Sequence, residues 1–222
     1  IEKGSEVQGD LTLRSGHTNT ITDEGDSGVV TVDGNLTATT YANNGSITLD
    51  ELAVDGTIGL NTHGIGAATV VNDAGLNFAA STVGGALSAT ATTGNITQSG
   101  ALAITGVTTI AADSGNNITL NNASNNFQAA VRITSGNDVT LVDAGAIILG
   151  ASTVSGTYAV TATAGGDITD SGVLAITGTS TFTVGNGQSV ILDESSTFST
   201  VTFASPGTIA SVTINDSNAL DL

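Results

Sequence analysis

Twenty carboxylates against three cations give the 222-residue chain a formal charge of -17, so any chemistry it performs must start from Asp and Glu. Asp23-Glu24-Gly25-Asp26 and Asp50-Glu51 offer hard oxygen ligands of the kind calcium takes, and Asp138 and Asp167 would add to them if they stacked in adjacent turns of the chain. Neither an EF-hand loop nor a Gly-Gly-x-Gly-x-Asp calcium repeat is present. Solvated acidic turns are therefore the preferred reading, with calcium as the alternative at Asp23, Glu24, Asp26, Asp138 and Asp167. Cleavage of a polysaccharide needs acids and bases gathered on one outer face. Here the cations and imidazoles are Lys3, Arg14, Arg132, His17 and His63, mostly far apart in the chain. The two histidines lack the His-Glu-x-x-His spacing, and no Ser/His/Asp grouping is supported. Arg132 is expected to form an incidental surface pair with Asp113 or Asp138. The residues predict no catalysis and no resident cofactor.

The composition narrows the class further. Without a cationic cluster the chain is not built to hold phosphate backbones, and it would be repelled from an anionic membrane surface. No stretch approaches the length of a membrane-spanning helix. Cysteine is absent, so neither disulfides nor thiolates contribute. Aromatic residues are 3% and Trp is missing, which suits a narrow core of Val, Ile, Leu and Ala.

The positioning elements come from a stretch written twice. Gly94-Asn-Ile-Thr-Gln-Ser-Gly-Ala-Leu-Ala-Ile-Thr-Gly106 returns as Gly166-Asp-Ile-Thr-Asp-Ser-Gly-Val-Leu-Ala-Ile-Thr-Gly178, identical at ten of thirteen positions. A shorter third copy is Gly45-Ser-Ile-Thr-Leu-Asp-Glu-Leu-Ala-Val-Asp-Gly56. Each sets two short alternating apolar runs between glycines, which reads as strand, turn, strand. Such a pair cannot bury a core alone and must stack on its copies.

Taking as anchor an apolar residue preceded by a turn residue and usually followed by Thr, the series is Leu11, Val30, Ile47, Val70, Ile96, Ile118, Val139, Ile168, Val190 and Val212. The mean spacing, about 22 residues, is that of one winding of a three-sided solenoid. The pattern predicts an all-β chain: a parallel β-helix (β-solenoid), right-handed, of about ten coils of roughly 22 residues. The anchors Leu11, Ile47, Ile96, Ile118, Val139, Ile168, Val190 and Val212 are expected to form one inward column. Asn95, Asn117, Asp138 and Asp167 should form a turn column that bonds along the stack. The threonines after the anchors should face outward. The whole chain reads as a single elongated segment, 1–222, of a longer protein. Residues 1–65 are less regular coils, 66–137 and 138–209 are a duplicated three-coil block, and 210–222 start a further coil. Coils 70–96 and 139–168 run long and predict a widened side or small protrusion at Leu76-Asn-Phe-Ala79 and Ala146-Ile-Ile-Leu149. Gly16 to Gly28 is expected to be a loop.

Units such as Gly9-Asp-Leu-Thr-Leu13, Gly45-Ser-Ile-Thr-Leu49 and Gly94-Asn-Ile-Thr97 resemble the repeats of the filamentous haemagglutinin family of large bacterial exoproteins. The resemblance covers nearly the whole chain, and its motifs are compositional. It implies a right-handed parallel β-helix, export across a Gram-negative outer membrane, and an adhesive or scaffolding role at the cell surface. The partners so implied are flanking repeats or like chains end to end, and a glycan or protein on a host or neighbouring cell. Two functions follow as expectations: a non-catalytic shaft of an adhesin or extracellular filament, or a carbohydrate- or protein-binding module using the long coils. The Thr-x-Thr pairs at Thr37 and Thr39, Thr90 and Thr92, and Thr161 and Thr163 raise ice binding as a lesser alternative. They recur once per block, too sparsely for a regular lattice match.

Overall fold

The computed structural model describes residues 1–2, 4–16, 20–23, 28–163 and 165–220. Among these the regular structure is all strand: 27 short strands, mostly of two to five residues, pair in parallel as a β-solenoid of about 10 turns and about 21 residues per turn. Parallel neighbours one rung apart lie about 4.8 Å from each other, so each winding hands its backbone hydrogen bonds to the next.

Register shows three sides. On the first, Ile21, Ile47, Ala68, Leu87, Thr108 and Val131 stack in consecutive windings. On the second, Leu76, Ile96, Ile118, Val139, Tyr158, Ser180 and Val201 stack. The third carries Leu11, Leu36 and Ile58, with Ile58 also in register with Phe78 at the corner to the second side, then Ser81 and Leu102, and finally Ile147, Ile168, Val190 and Val212. The sheets that pairing defines, of 12, 13 and 2 strands, do not coincide with the sides, because the long ones pass round corners. The strand Ile47–Val54 bends from the first side to the second at Asp50 and Glu51, and a lone register pair, Val131 with Leu149, links the first side to the third.

Alternation decides what is inside. Within Val139–Asp143 and Tyr158–Ala162 every second residue is buried and the residues between are half-exposed. The interior is one continuous apolar cluster running from Ile21 to Val201. It is mostly aliphatic, with Phe78 and Phe127 set singly along it and aromatic rings gathered only toward the C-terminal windings. There Phe182 stands edge-on to Tyr158 and Phe198, with ring centroids 6.2 and 6.1 Å apart, and stacks on Phe203 at 6.1 Å. The threonines that follow the anchors point outward, as where Thr119 stands beside Thr140. Glycines make the corners narrow enough to stack: a Cβ on Gly178 would run into the Gly156 carbonyl one winding earlier. Gly94 opens its motif at φ 86°, a left-handed backbone that side chains resist.

The anchors therefore do not make one column but three. Ile47 is on the first side, Ile96, Ile118 and Val139 are on the second, and Leu11, Ile168, Val190 and Val212 are on the third. Two of them are not core: Leu11 is only partly buried and Val212, in the last winding, is 43% exposed. The apparent long coils are the places where the series steps to the next side. Leu76, Phe78, Ile147 and Leu149 are ordinary inward strand residues, fully buried, and form no protrusion.

The same register corrects the block length. Three windings carry Ile96 to Tyr158, 62 residues on, whereas its sequence counterpart Ile168 lies 72 on; the extra 10 residues take the chain round one corner. The duplicated block is three windings and one side. Ile47, Ile96 and Ile168, the anchors of the three motif copies, consequently sit on three different sides.

Replacing Ile118 with Ala, in the middle of the second-side stack, is expected to cost about 2–5 kcal/mol in chemical denaturation, as large-to-small changes in closed cores do. Thr140→Ala, on the outer surface of the neighbouring winding, is expected to stay within about 0.5 kcal/mol.

Candidate functional site

The polar residues of the corners are engaged with the backbone. At the entry to the second side, Oδ1 of Asn95 accepts from Asn117 N at 2.8 Å, and Oδ1 of Asn117 accepts from Asp138 N at 3.1 Å. Oδ1 of Asp138 in turn accepts from Thr157 N at 2.8 Å and Thr157 Oγ1 at 2.9 Å. The third side has its own column. Oδ1 of Asp10 accepts from Asn35 N at 2.7 Å, and Oδ1 of Asn35 accepts from Thr57 N at 2.9 Å. Further along it, Oδ1 of Asp167 accepts from Ser189 N at 2.7 Å, and Ser189 Oγ accepts from Ser211 Oγ at 3.0 Å. Each side chain lends an acceptor to the winding above where the strand ladder is interrupted by a turn. The two hydrogen bonds from Thr157 hold the Asp138 carboxyl below its ordinary range, against a smaller opposing effect of burial.

Inside the corners a second set does the same work without water. Buried Asn72 accepts from Val54 N at 2.8 Å and donates to Val54 O at 3.1 Å and Gly75 O at 2.7 Å. Its counterpart 71 residues on, Asp143, is also buried and accepts from Phe127 N at 2.7 Å and Gly145 N at 2.7 Å. Burial pushes the Asp143 carboxyl up while those two N–H groups pull it down. Ser81 and Ser152, again 71 apart, accept from Leu60 N and Ile133 N, both at 3.0 Å. Ser196 accepts from Leu174 N at 2.9 Å. Nothing in the sequence pattern marks Asn72, Asp143 or these serines as buried, because a polar residue after a strand reads as an ordinary turn. Their recurrence at one offset is the signal that could have found them.

The calcium candidates are not brought together. Asp138 precedes a second-side strand and Asp167 a third-side one, so their carboxylates do not stack, contrary to the expectation from sequence. Buried Asp23 spends its oxygens on Asp50 N, at 3.2 Å, and Glu51 N, at 2.9 Å, holding the bend there. Glu24 and Asp26 lie outside the described residues, as do Lys3, His17 and most of the expected loop from Gly16 to Gly28. Among the described residues no group of three or more His, Cys, Asp or Glu side chains is placed to hold a metal. The remaining bases stand apart. Arg14 pairs in register with Thr39 on the third side, and His63 stands in an exposed corner where its carbonyl accepts from Asn44 N at 2.9 Å. Arg132 lies on the first side with its stem across Gly150, and it forms no ion pair among the described residues. The expected pair with Asp113 or Asp138 is not made: Asp113 accepts from Ser114 N and Asp138 from Thr157.

With stacked windings and backbone-bound corners in view, comparison with known proteins adds one result. A family model described as repeats of unknown function (DUF5649) matches residues 65–134 and again 136–205, together well over half of the chain. The chain belongs to that family. The two DUF5649 matches lie over the blocks at 66–137 and 138–209, so one family repeat corresponds to three windings and one side. No curated protein and no solved structure matches.

Asn72→Leu keeps the branched shape but strands Val54 N and Gly75 O in the core, and is expected to lower stability by at least about 2 kcal/mol. Asn117→Ala removes one acceptor from a half-exposed corner and is expected to cost about 1 kcal/mol. Urea titrations of the two variants against the parent chain check that order.

Proposed function

We propose that this repeat protein is a non-catalytic shaft segment of a secreted or cell-surface adhesin or extracellular filament. The observation that supports the reading is where the polar side chains are spent. Asn95, Asn117 and Asp138, and likewise Asp10 and Asn35, are tied to the winding above instead of converging on a point in space. Groups committed to axial cohesion suit a part that transmits length and load. The repeat architecture supports it too, since each winding contacts only its neighbours and length can be added without redesigning the core. Surface location and an adhesin context rest on the resemblance to filamentous haemagglutinin repeats, and flanking repeats or like chains end to end are the partners it calls for.

The binding-module reading keeps one observation in its favour, at a different place from the long coils. Tyr41 and Ile65 are 54% and 74% exposed. They flank the same corner in consecutive windings, where Asn44 Oδ1 accepts from Ile65 N at 3.0 Å. An exposed aromatic ring beside amides is chemistry that holds a neutral sugar or a peptide.

The shaft reading expects rod-shaped particles in solution scattering and electron microscopy, with no specific signal on a glycan array. Specific glycan binding that Tyr41→Ala abolishes, with the rod intact, would replace it with the module.

A further inference from the structure

At one corner the two repeats exchange three neutral residues for three acids. In the first, Gln98 ends a second-side strand and Asn121 and Asn122 follow the strand of the next winding. Gln98 is fully paired: Oε1 accepts from Asn122 N at 3.2 Å and Asn125 Nδ2 at 2.9 Å, and Nε2 donates to Gly100 O at 2.7 Å and Asn125 Oδ1 at 2.9 Å. Seventy-two residues later the same three positions are Asp170, Asp193 and Glu194. Oδ1 of Asp170 accepts from Asp193 N at 3.0 Å, and the Glu194 N–H also faces the carboxyl, but Oδ2 is buried and makes no hydrogen bond of good geometry. Three neutral residues have become three carboxylates at a site where one oxygen lacks a well-placed donor.

Nothing nearby neutralises them. The sequence has no Lys, Arg or His after Arg132. The winding that precedes Asp170 approaches it with the uncharged strand Ile147–Leu149. The winding that follows brings Asp193 and Glu194, and the one after that brings Asp216, whose Oδ1 accepts from Phe198 N at 3.3 Å and Asn218 N at 3.2 Å. The site also lies on a seam: pairing of Gln188–Ser196 with Ile209–Asp216 shifts register between Leu192 and Ser196, beside these acids.

We propose that Asp170, facing Asp193 and Glu194 of the next winding, is an acid-operated latch: a proton on the Asp170 carboxyl closes the C-terminal windings on each other, and its loss loosens them. Burial raises the Asp170 carboxyl to about 6; the N–H groups of Asp193 and Glu194 oppose this, and the Asp193 carboxylate adds to it. A carboxyl raised in the fold binds its proton more tightly there than in the unfolded chain. Its contribution is fully present below the unfolded value of 3.8 and is lost as pH rises through about 6. The first repeat carries the uncharged Gln98 at this position. The latch concerns cohesion between windings and stands independently of the shaft reading.

Hydrogen exchange of the whole chain at about pH 5 and about pH 7.5, corrected for intrinsic rates, tests it. Amides of Gln188–Ser196 and Ile209–Asp216 are expected to be up to about tenfold better protected at the lower pH, while those of Ala68–Asn72 and Leu87–Ala91 change far less. Asp170→Gln with Asp193→Asn and Glu194→Asn should erase the difference, and so should Asp170→Asn alone if the triple variant does not fold. A charge-matched control, Asp33→Asn with Asp55→Asn and Asp73→Asn, should keep it. Equal protection at both pH values in the parent chain overturns the latch. So does loss of the difference in the control, which would assign it to overall charge, and so does acid-like protection produced at about pH 7.5 by calcium alone.

Discussion

Every backbone N–H of one winding must find an acceptor in the next, and the rest of the structure follows from that requirement. Along the flat sides the strand ladder meets it without help. At corners the chain turns, the ladder breaks, and an unpaired group in a narrow rod would cost on the order of 1–3 kcal/mol. The corners are accordingly where Asn, Asp and Ser concentrate: outside at Asn95, Asn117 and Asp138, inside at Asn72, Asp143, Ser81, Ser152 and Ser196. This also explains how so acidic a chain stacks at all. Asp23, Asp138, Asp143 and Asp167 face backbone N–H donors, whose partial positive charge stands in for the missing cations.

That division of labour fixes what could be read from the sequence. Alternation and glycine punctuation speak directly to the ladder, so the strands, the outward threonines and the register of Ile96, Ile118 and Val139 were legible. Which side a strand occupies was not. An aliphatic anchor followed by Thr looks the same on all three sides, and only the pairing shows that Ile47, Ile96 and Ile168 face different ways. Treating them as one column produced two long coils that do not exist and brought Asp138 over Asp167. The buried corner residues were illegible for a related reason. Asn72 points inward because Val54 of the preceding winding and the Gly75 turn meet it there, a juxtaposition that local composition does not encode.

The mismatch between repeat and winding constrains the sequence in turn. A repeat that advances three windings and one side places each of its residues on a new side in every copy. Its motif must then be acceptable at three corners, which favours aliphatic anchors, small turn residues and glycines over groups fitted to one place. Ser81 and Ser152 keep the same hydrogen bond on successive sides, and Asn72 and Asp143 keep the acceptor half of theirs. Conversely, a site that needs one fixed direction is hard to build from such copies, since whatever one repeat displays the next displays a third of a turn away.

Departures from that economy are the informative positions. Phe182, Phe198 and Phe203 pack ring against ring only in the C-terminal windings, whereas Phe78 and Phe127 sit singly in the core. The exchange of Gln98, Asn121 and Asn122 for Asp170, Asp193 and Glu194 falls in the same windings. A fully paired amide gives way there to a carboxyl with one orphaned oxygen, next to a break in register. Because the windings are otherwise joined rung by rung, a weakness there cannot spread sideways and can only open along the axis. The end of the described rod is thus the place where cohesion is most conditional, and where a change in solution conditions can act on the stack without touching the core beneath it.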